Sequence, residues 1–270
     1  MLKLKGLHLT FNADTPNENR ALQGVDLEIP EGQFLIVIGT NGSGKSTLQN
    51  VISGALLPDE GQIILDGADL TKWSEHRRAR HIGRVFQNPF SGTAPSMSIE
   101  ENLALAARRG MSRGLSWALS PRIRRDIRDR IASLNMGLEG RLDIPIGSLS
   151  GGQRQALTLL MATWRTPKLL LLDEHTAALD PKSAEKIIRL TSDIVESKKL
   201  TTLMVTHSMP QAAALGQRLV MIHRGRIVRD ISGEEKRRLR PEDLIRIFEE
   251  IRLIERLDES AAQMLRENYL

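Results

Sequence analysis

Nine consecutive residues, Gly39-Thr40-Asn41-Gly42-Ser43-Gly44-Lys45-Ser46-Thr47, set glycines, a lysine and hydroxyls in an order suited to grip a polyphosphate. The spacing is the G-x-x-x-x-G-K-[ST] of a P-loop. Glycines let the backbone curl until successive N–H groups converge on one anion. A helix beginning near Lys45 aims its positive end at the same point. Lys45 then offers a mobile ammonium to the β- and γ-phosphates, and the Ser46 hydroxyl is placed to ligate Mg²⁺. The apolar run Phe34–Ile38 ahead of the loop reads as a short buried strand, and Leu48, Val51 and Ile52 follow it. That context disfavours the bland alternative, a mere turn between strand and helix.

Two carboxylates, Asp173 and Glu174, end a second apolar run, Leu169-Leu170-Leu171-Leu172, which reads as a strand buried on both faces of a parallel sheet. Strand ends next to a P-loop line the nucleotide crevice. Asp173 there can hold Mg²⁺ through a water, and Glu174 can orient the attacking water and accept its proton. A purely structural role for both is costly, because burying an unpaired charge is costly. Upstream, Leu149-Ser150-Gly151-Gly152-Gln153 opens a helix that Ser150 can cap, with two glycines exposing backbone N–H groups at its positive end. This is a second anion site, spaced far from the chain's own P-loop. With no phosphate of its own, it is expected to serve another subunit's nucleotide.

The elements that must hold these groups follow from hydrophobic period and turn residues. Up to about residue 75 the chain reads as strand-rich. Leu7–Phe11 alternates, Leu22–Ile29 forms another strand, and Ile63–Leu65 runs into Asp66-Gly67, a hairpin turn pair. From Pro89 to Ile146 the spacing turns helical, with Gly and Pro at both borders, as an inserted subdomain would have. Gln153–Trp164 reads as a helix, Ala184–Glu196 as another, Thr202–Thr206 as a central strand, and Val220–His223 with Arg226–Val228 as an edge hairpin. In the charged tail, Leu244, Ile247, Ile251 and Ile254 form one apolar stripe, expected to dock on its own domain rather than on a second copy.

With 270 residues and 40% apolar content, the chain suits one large α/β domain with insertions, or two small domains. The absence of Cys excludes disulfide frameworks and Cys-based metal sites and fits a reducing compartment. Met1–Thr10 alternates like a strand and lacks the apolar core of a signal peptide. No run approaches bilayer-spanning length, so the chain is expected to be soluble by itself. Net charge is +5, and it is uneven: Arg108, 109, 113, 122, 124, 125, 128 and 130 face only Asp126 and Asp129 across that stretch. A solvated helix face is the favoured reading; contact with an anionic surface, lipid headgroups or nucleic acid, is the sharper one. The 3% aromatic content weakens the nucleic-acid version.

These residues resemble the ATPase subunit of an ATP-binding cassette (ABC) transporter across residues 2–230 or thereabouts. By that resemblance, Gly39–Thr47 match the Walker A motif, Leu169–Glu174 the Walker B motif, and Leu149–Gln153 the LSGGQ signature. Gln87 matches the Q-loop, contributing to Mg²⁺ and the attacking water. Ala177-Ala178-Leu179-Asp180 match the D-loop, His207 the switch histidine, and Phe11 an aromatic that stacks on adenine. His175 stands where the family usually has Pro, and Ala177 where Ser is common; neither removes a catalytic group. The implied fold is α/β: a P-loop NTPase (RecA-like) core with a mostly parallel sheet, an antiparallel β subdomain and an inserted α-helical subdomain. The implied domains are an ABC ATPase domain at 1–233, with its helical insert at about 89–146, and a helical tail at 234–270.

The resemblance implies ATP and Mg²⁺ as ligands and a head-to-tail homodimer enclosing two ATP. Each nucleotide lies between one copy's Walker A and the other's Ser150, Gly151, Gly152 and Gln153. It also implies a separate transmembrane permease, an extracytoplasmic solute-binding protein, and a peripheral place on the cytoplasmic face of the inner membrane. The run Asp173–Pro181 resembles amino-acid importers. No nucleic acid is expected as a partner. The alternative is a soluble ABC ATPase acting on a protein scaffold, nucleic acid or the ribosome; a P-loop kinase is disfavoured, since LSGGQ would have no role in one.

Overall fold

Leu169–Leu172 has no polar residue to turn toward water, and both faces of the strand it forms are covered. The computed structural model describes residues 1–111 and 119–251, so Arg113 and Ile254 lie outside the described residues. The larger sheet contains β3 (Phe34–Gly39), β6 (Ile82–Val85), β7 (Leu169–Asp173), β8 (Thr202–Val205), β9 (Arg218–His223) and β10 (Arg226–Ser232). Their order is β10-β9-β3-β8-β7-β6; all pairs are parallel except the edge pair of β9 with β10. In β7, Leu169 and Leu171 join one apolar core while Leu170 and Leu172 join another. In β3, Leu35 and Val37 go one way, and Phe34, Ile36 and Ile38 the other. The period of two sends the apolar residues of these central strands to both cores.

The first core is shared with an antiparallel sheet of β1 (Leu2–Phe11), β2 (Asn19–Ile29), β4 (Glu60–Leu65) and β5 (Ala68–Asp69), ordered β2-β1-β4-β5. Asp66 and Gly67 turn β4 into β5 with φ of 52° and 79°, the left-handed pair that a tight hairpin requires. Between the sheets lies α1 (Lys45–Ser53), through Leu48, Val51 and Ile52. Its open carbonyl end is closed by Arg78 of α2 (Glu75–Arg78). That fully buried guanidinium donates to Val51 O at 2.6 Å and Ile52 O at 2.9 Å, and to Trp73 O and Thr71 O at 2.9 and 3.0 Å.

The opposite side carries the helices. A capping box of Ser98 and Glu101 starts α3 (Ile99–Ala107), and Ser120 followed by Pro121 starts α4 (Pro121–Ala132). Their apolar faces, Ile99 and Leu103 with Ile127 and Ile131, meet Leu157 and Leu160 of α5 (Gly151–Thr163) and Ile187 of α6 (Pro181–Ser197). The apolar core of this layer thus runs past residue 146 into the helix that LSGGQ opens. Arginines on α4 divide: Arg124 pairs with Glu100, and Arg130 pairs with Asp126 and stacks on Trp164. Arg122, Arg125 and Arg128 extend into solvent. After α7 (Met209–Ala214) and α8 (Gly233–Arg238), helical residues 241–251 dock on the domain itself, with Leu244 fully buried and Ile247 and Ile251 beside it. No helix among the described residues is long and apolar enough to cross a membrane.

Truncating Leu171 removes atoms from the fully buried centre of the sheet. Leu171→Ala should therefore cost about 2–5 kcal/mol, read as a lower urea midpoint at unchanged slope. Leu57→Ala, at a side chain 54% exposed, should leave the midpoint nearly unmoved. Equal losses would contradict the two-sided burial of β7.

Candidate active site

The loop between β3 and α1 excludes a side chain at Gly39 and at Gly44. A Cβ on Gly39 would lie 2.2 Å from Ile222 O, and one on Gly44, already at φ 104°, would lie 2.4 Å from Ala21 O. Lys45 is buried, and its Nζ donates to the carbonyls of Gly39 at 2.9 Å and Thr40 at 2.8 Å, so the ammonium lies across the curl of the loop. Burial lowers its pKa, and the nearby Glu174 and Asp173 carboxylates oppose that shift. Ser43 Oγ, tucked beside Gly39, is buried with no hydrogen-bond partner. Asn41, Gly42 and Ser46 are exposed and Thr47 is half-buried. A cradle with no room for a Cβ at Gly39 or Gly44, with an unsatisfied hydroxyl and a buried ammonium inside it, fits a polyphosphate.

The carboxylates stand one strand away from β8 and two from β3. Asp173 pairs with Arg84 at 3.6 Å; burial raises its pKa, against the pull of Arg84, Lys45 and His207. Arg84 is itself held by Asn50 Oδ1 at 2.7 Å and Ser53 Oγ at 3.2 Å, and its guanidinium lies 4.6 Å from the Phe86 ring centroid. Glu174 takes a left-handed φ of 44°, uncommon for a residue with a Cβ. Its N–H donates to Val205 O at 3.0 Å, and its Oε1 lies 2.6 Å from His207 Nε2. Gln49 Nε2, from α1, donates to Leu172 O at 2.9 Å and ties the P-loop helix to this edge. Gln87 is exposed just past β6, whose Val85 is in register with Leu172. Phe11 is half-buried against the first core at the end of β1, while Ala21 of neighbouring β2 touches the P-loop.

The LSGGQ stretch lies elsewhere. Ser150 caps α5 in a reciprocal box: its Oγ accepts from Gln153 N–H, and Gln153 Oε1 accepts from Ser150 N–H, both at 3.3 Å. Gly151 is exposed, but Gly152 is buried, since a Cβ there would lie 2.8 Å from Ser183 Oγ. Asp180 caps α6 through Ser183 N–H at 3.0 Å, Leu179 packs into the helical core, and Ala178 is exposed. Ser150, Gly152 and Gln153 line a cavity of about 670 Å³ with Ser183 and Lys186. Gly39, Thr40, Asn41 and His207 line a separate one of about 510 Å³. The structure brings Lys45, Asp173, Glu174 and His207 together, and it leaves the signature apart from them.

Several contributors carry no sequence motif. Arg84 is a lone charge within the otherwise apolar Ile82–Val85, which was the available signal. Arg154 stacks on Phe90 at 3.7 Å and donates to the carbonyls of Ile146, Gly147 and Leu149, fixing the approach to Ser150. Thr176, Thr206 and Gln211, described below, gave no signal at all.

Fold and site together define a P-loop ATPase of the cassette type. The sequence profile of the ABC transporter family matches residues 22–177. A tyrosine transport ATP-binding protein of Clostridioides difficile is 42% identical over 249 residues, 92% of this chain and 99% of the relative. The methionine import ATP-binding protein MetN of Histophilus somni is 35% identical, over 84% of this chain and 64% of the relative. A dimeric ATP-binding cassette, MJ0796, bound to ADP and phosphate in a post-hydrolysis state, matches with a TM-score of 0.74 and 29% identity, over 86% of this chain and 98% of that one. The chain belongs to the ABC transporter family as an ATP-binding, ATP-hydrolysing subunit.

His175, next to Glu174 in the chain, is buried. Thr191 Oγ1 spends its proton on Ile187 O at 2.8 Å and therefore accepts from His175 Nε2 at 2.9 Å; Nδ1 is left without a partner. Burial takes the imidazole from 6.5 down to about 4. Above the higher value the ring is neutral in the folded and unfolded chain alike. Below it the unfolded chain takes a proton that the folded chain refuses, so stability falls as pH drops from 6.5 toward about 4. His175→Gln should flatten the acid-side decline of the urea midpoint; an identical decline in both proteins would contradict this.

Proposed function

We propose that this chain is the ATPase of a solute importer, in which two copies close head to tail on two Mg-ATP and drive a separate membrane permease. The observation that carries the reading is the separation of two half-sites: a P-loop with its carboxylates in one cleft, and a capped Ser-Gly-Gly helix start lining another. One copy presents each half, so a complete pocket needs two. The dimeric state of the MJ0796 cassette supports the same arrangement. Transport of tyrosine by the Clostridioides difficile relative supports an amino acid as cargo. On this reading the chain sits peripherally at the cytoplasmic face of the membrane, with a permease and an extracytoplasmic solute-binding protein as partners.

Lys45 and the backbone N–H groups of Asn41–Thr47 hold the β- and γ-phosphates, and Phe11 stacks on adenine. Ser46, Asp173 and Gln87 would hold Mg²⁺, an oxygen-donor set that suits this ion. When bound, the ion neutralises charge developing on the phosphates. Glu174 accepts the proton of the attacking water as its oxygen bonds to the γ-phosphorus and the bond to the β-γ bridging oxygen breaks. His207, whose Nε2 lies 2.6 Å from that carboxylate, donates to it and fixes its rotamer. From the other copy, Ser150, Gly151, Gly152 and Gln153 close over the triphosphate, and Ala178–Asp180 contact across the interface. ATP is thus the ligand that favours the closed pair, and its hydrolysis removes that preference. Gln87 and the helical layer pass the motion to the permease.

Glu174→Gln should keep ATP affinity, lower kcat by about a hundredfold or more, and accumulate an ATP-dependent dimer in size-exclusion light scattering. Unchanged turnover would remove Glu174 as the base. Ser150→Arg, added to that variant, should leave nucleotide binding to the single copy intact and abolish the dimer; a normal dimer would count against the signature acting in trans. Co-purification with a membrane permease, rather than with a membrane-free scaffold or RNA, is expected.

A further inference from the structure

The 2.6 Å contact between Glu174 and His207 joins two side chains on different loops, and the histidine side chain is 44% exposed. Such a pair holds its geometry only if the loops themselves are held. A second link lies directly behind it. Thr206 Oγ1 donates to Gln211 Oε1 at 3.0 Å, and Gln211 Nε2 donates to Thr176 Oγ1 at 3.1 Å. The same glutamine fastens the far side of the histidine: its own N–H donates to Ser208 Oγ at 3.4 Å, and Ser208 N–H donates to Thr206 Oγ1 at 3.1 Å. His207 is therefore flanked by two residues that are both bonded to Gln211. Across the gap, Thr176 stands two residues beyond Glu174.

The bonds form one consistent set of directions. An amide has one accepting and one donating end, and Thr206 gives its single proton to the accepting end. Its lone pairs then receive Ser208 N–H, and the donating end of Gln211 is free to reach Thr176. Both threonines are buried, so water cannot substitute readily for a lost partner. Gln211 lies in the first turn of α7, which Ser208 caps and Met209 and Pro210 begin, so its backbone is fixed as well.

We propose that Gln211 is a positioning residue for ATP hydrolysis: by joining Thr206 to Thr176 it holds the histidine loop and the glutamate loop at one separation, which keeps the Glu174 carboxylate aimed at the attacking water. The inference rests on Glu174 as base and His207 as its partner, as proposed above.

The test is the steady-state ATPase of the purified full chain, with nucleotide affinity measured in parallel. Gln211→Leu matches the side chain's bulk without its polar ends and should lower kcat about tenfold to a hundredfold, since small misplacements of reacting groups cost this much. The nucleotide Kd, set at the P-loop, should stay within about twofold. Gln211→Glu keeps two acceptors, to which both threonine hydroxyls can donate, and should stay within about threefold of the parent kcat. Thr176→Val should repeat the loss, and the double variant Gln211→Leu/Thr176→Val should be no worse than its worse parent. If Gln211→Leu fails to fold, Thr176→Val, which removes one hydroxyl, carries the same test. Parental kcat in Gln211→Leu or in Thr176→Val, additive losses in the double variant, or a Gln211→Glu enzyme as slow as Gln211→Leu would overturn the inference. Glu174→Gln assayed alongside separates the two levels. Normal turnover there sinks the base assignment itself, whereas stalled turnover there with an unimpaired Gln211→Leu sinks only the positioning role.

Discussion

Val37, Val205 and Asp173 lie side by side in one row of the parallel sheet, with Val205 paired to both neighbours, and Val85 sits opposite Leu172 one step behind. Beyond that row the strands end together. Gly39 opens the P-loop, His207 follows β8, Glu174 follows β7, and Gln87 follows β6. A parallel sheet delivers strand ends to one edge, and the register decides which side chain each loop begins with. A slip of one residue in β7 would exchange the faces of Asp173 and Glu174.

On this edge the buried charges have partners within the chain. Lys45 lies on two loop carbonyls, Asp173 on Arg84, and Glu174 on His207. Burial pushes the pKa of Lys45 down and that of Asp173 up, each shift disfavouring the charged form, and the opposite charges nearby resist both. On the proposed reading, a triphosphate with its metal would supply new partners for the ammonium and the carboxylate together. The signature helix start has no such group of its own to meet, which is the physical reason a second copy enters the account.

Much of this was legible in the sequence because local chemistry and global position agree there. Gly39 and Gly44 have no room for a Cβ, Ser150 caps the helix it precedes, and Asp66-Gly67 makes the turn its residue types demand. The tail stripe Leu244, Ile247 and Ile251 was readable from its spacing, and it docks on its own domain. What was not legible depends on contacts between residues far apart in the chain. Arg78 closes α1 from 26 residues away, and Gln211 reaches Thr176 across 35. Gly152 is buried against Ser183 as well as standing at a helix start, and the helical core runs on through α5, because packing partners set burial and borders that composition does not. The arginine run also resolved only in three dimensions, into paired, stacked and solvent-facing members.

The central claim is that two copies jointly enclose each ATP, and subunit mixing tests it most directly. Lys45→Ala lacks a working P-loop and Ser150→Arg a working signature, so each should be nearly inactive alone. Mixed, they can form one pair of half-sites in which the intact P-loop of one copy meets the intact signature of the other. The account predicts that ATPase activity appears on mixing and rises with the concentration of either partner. Full activity of Ser150→Arg alone, or no recovery when folded Lys45→Ala is combined with folded Ser150→Arg that still binds nucleotide, would contradict it.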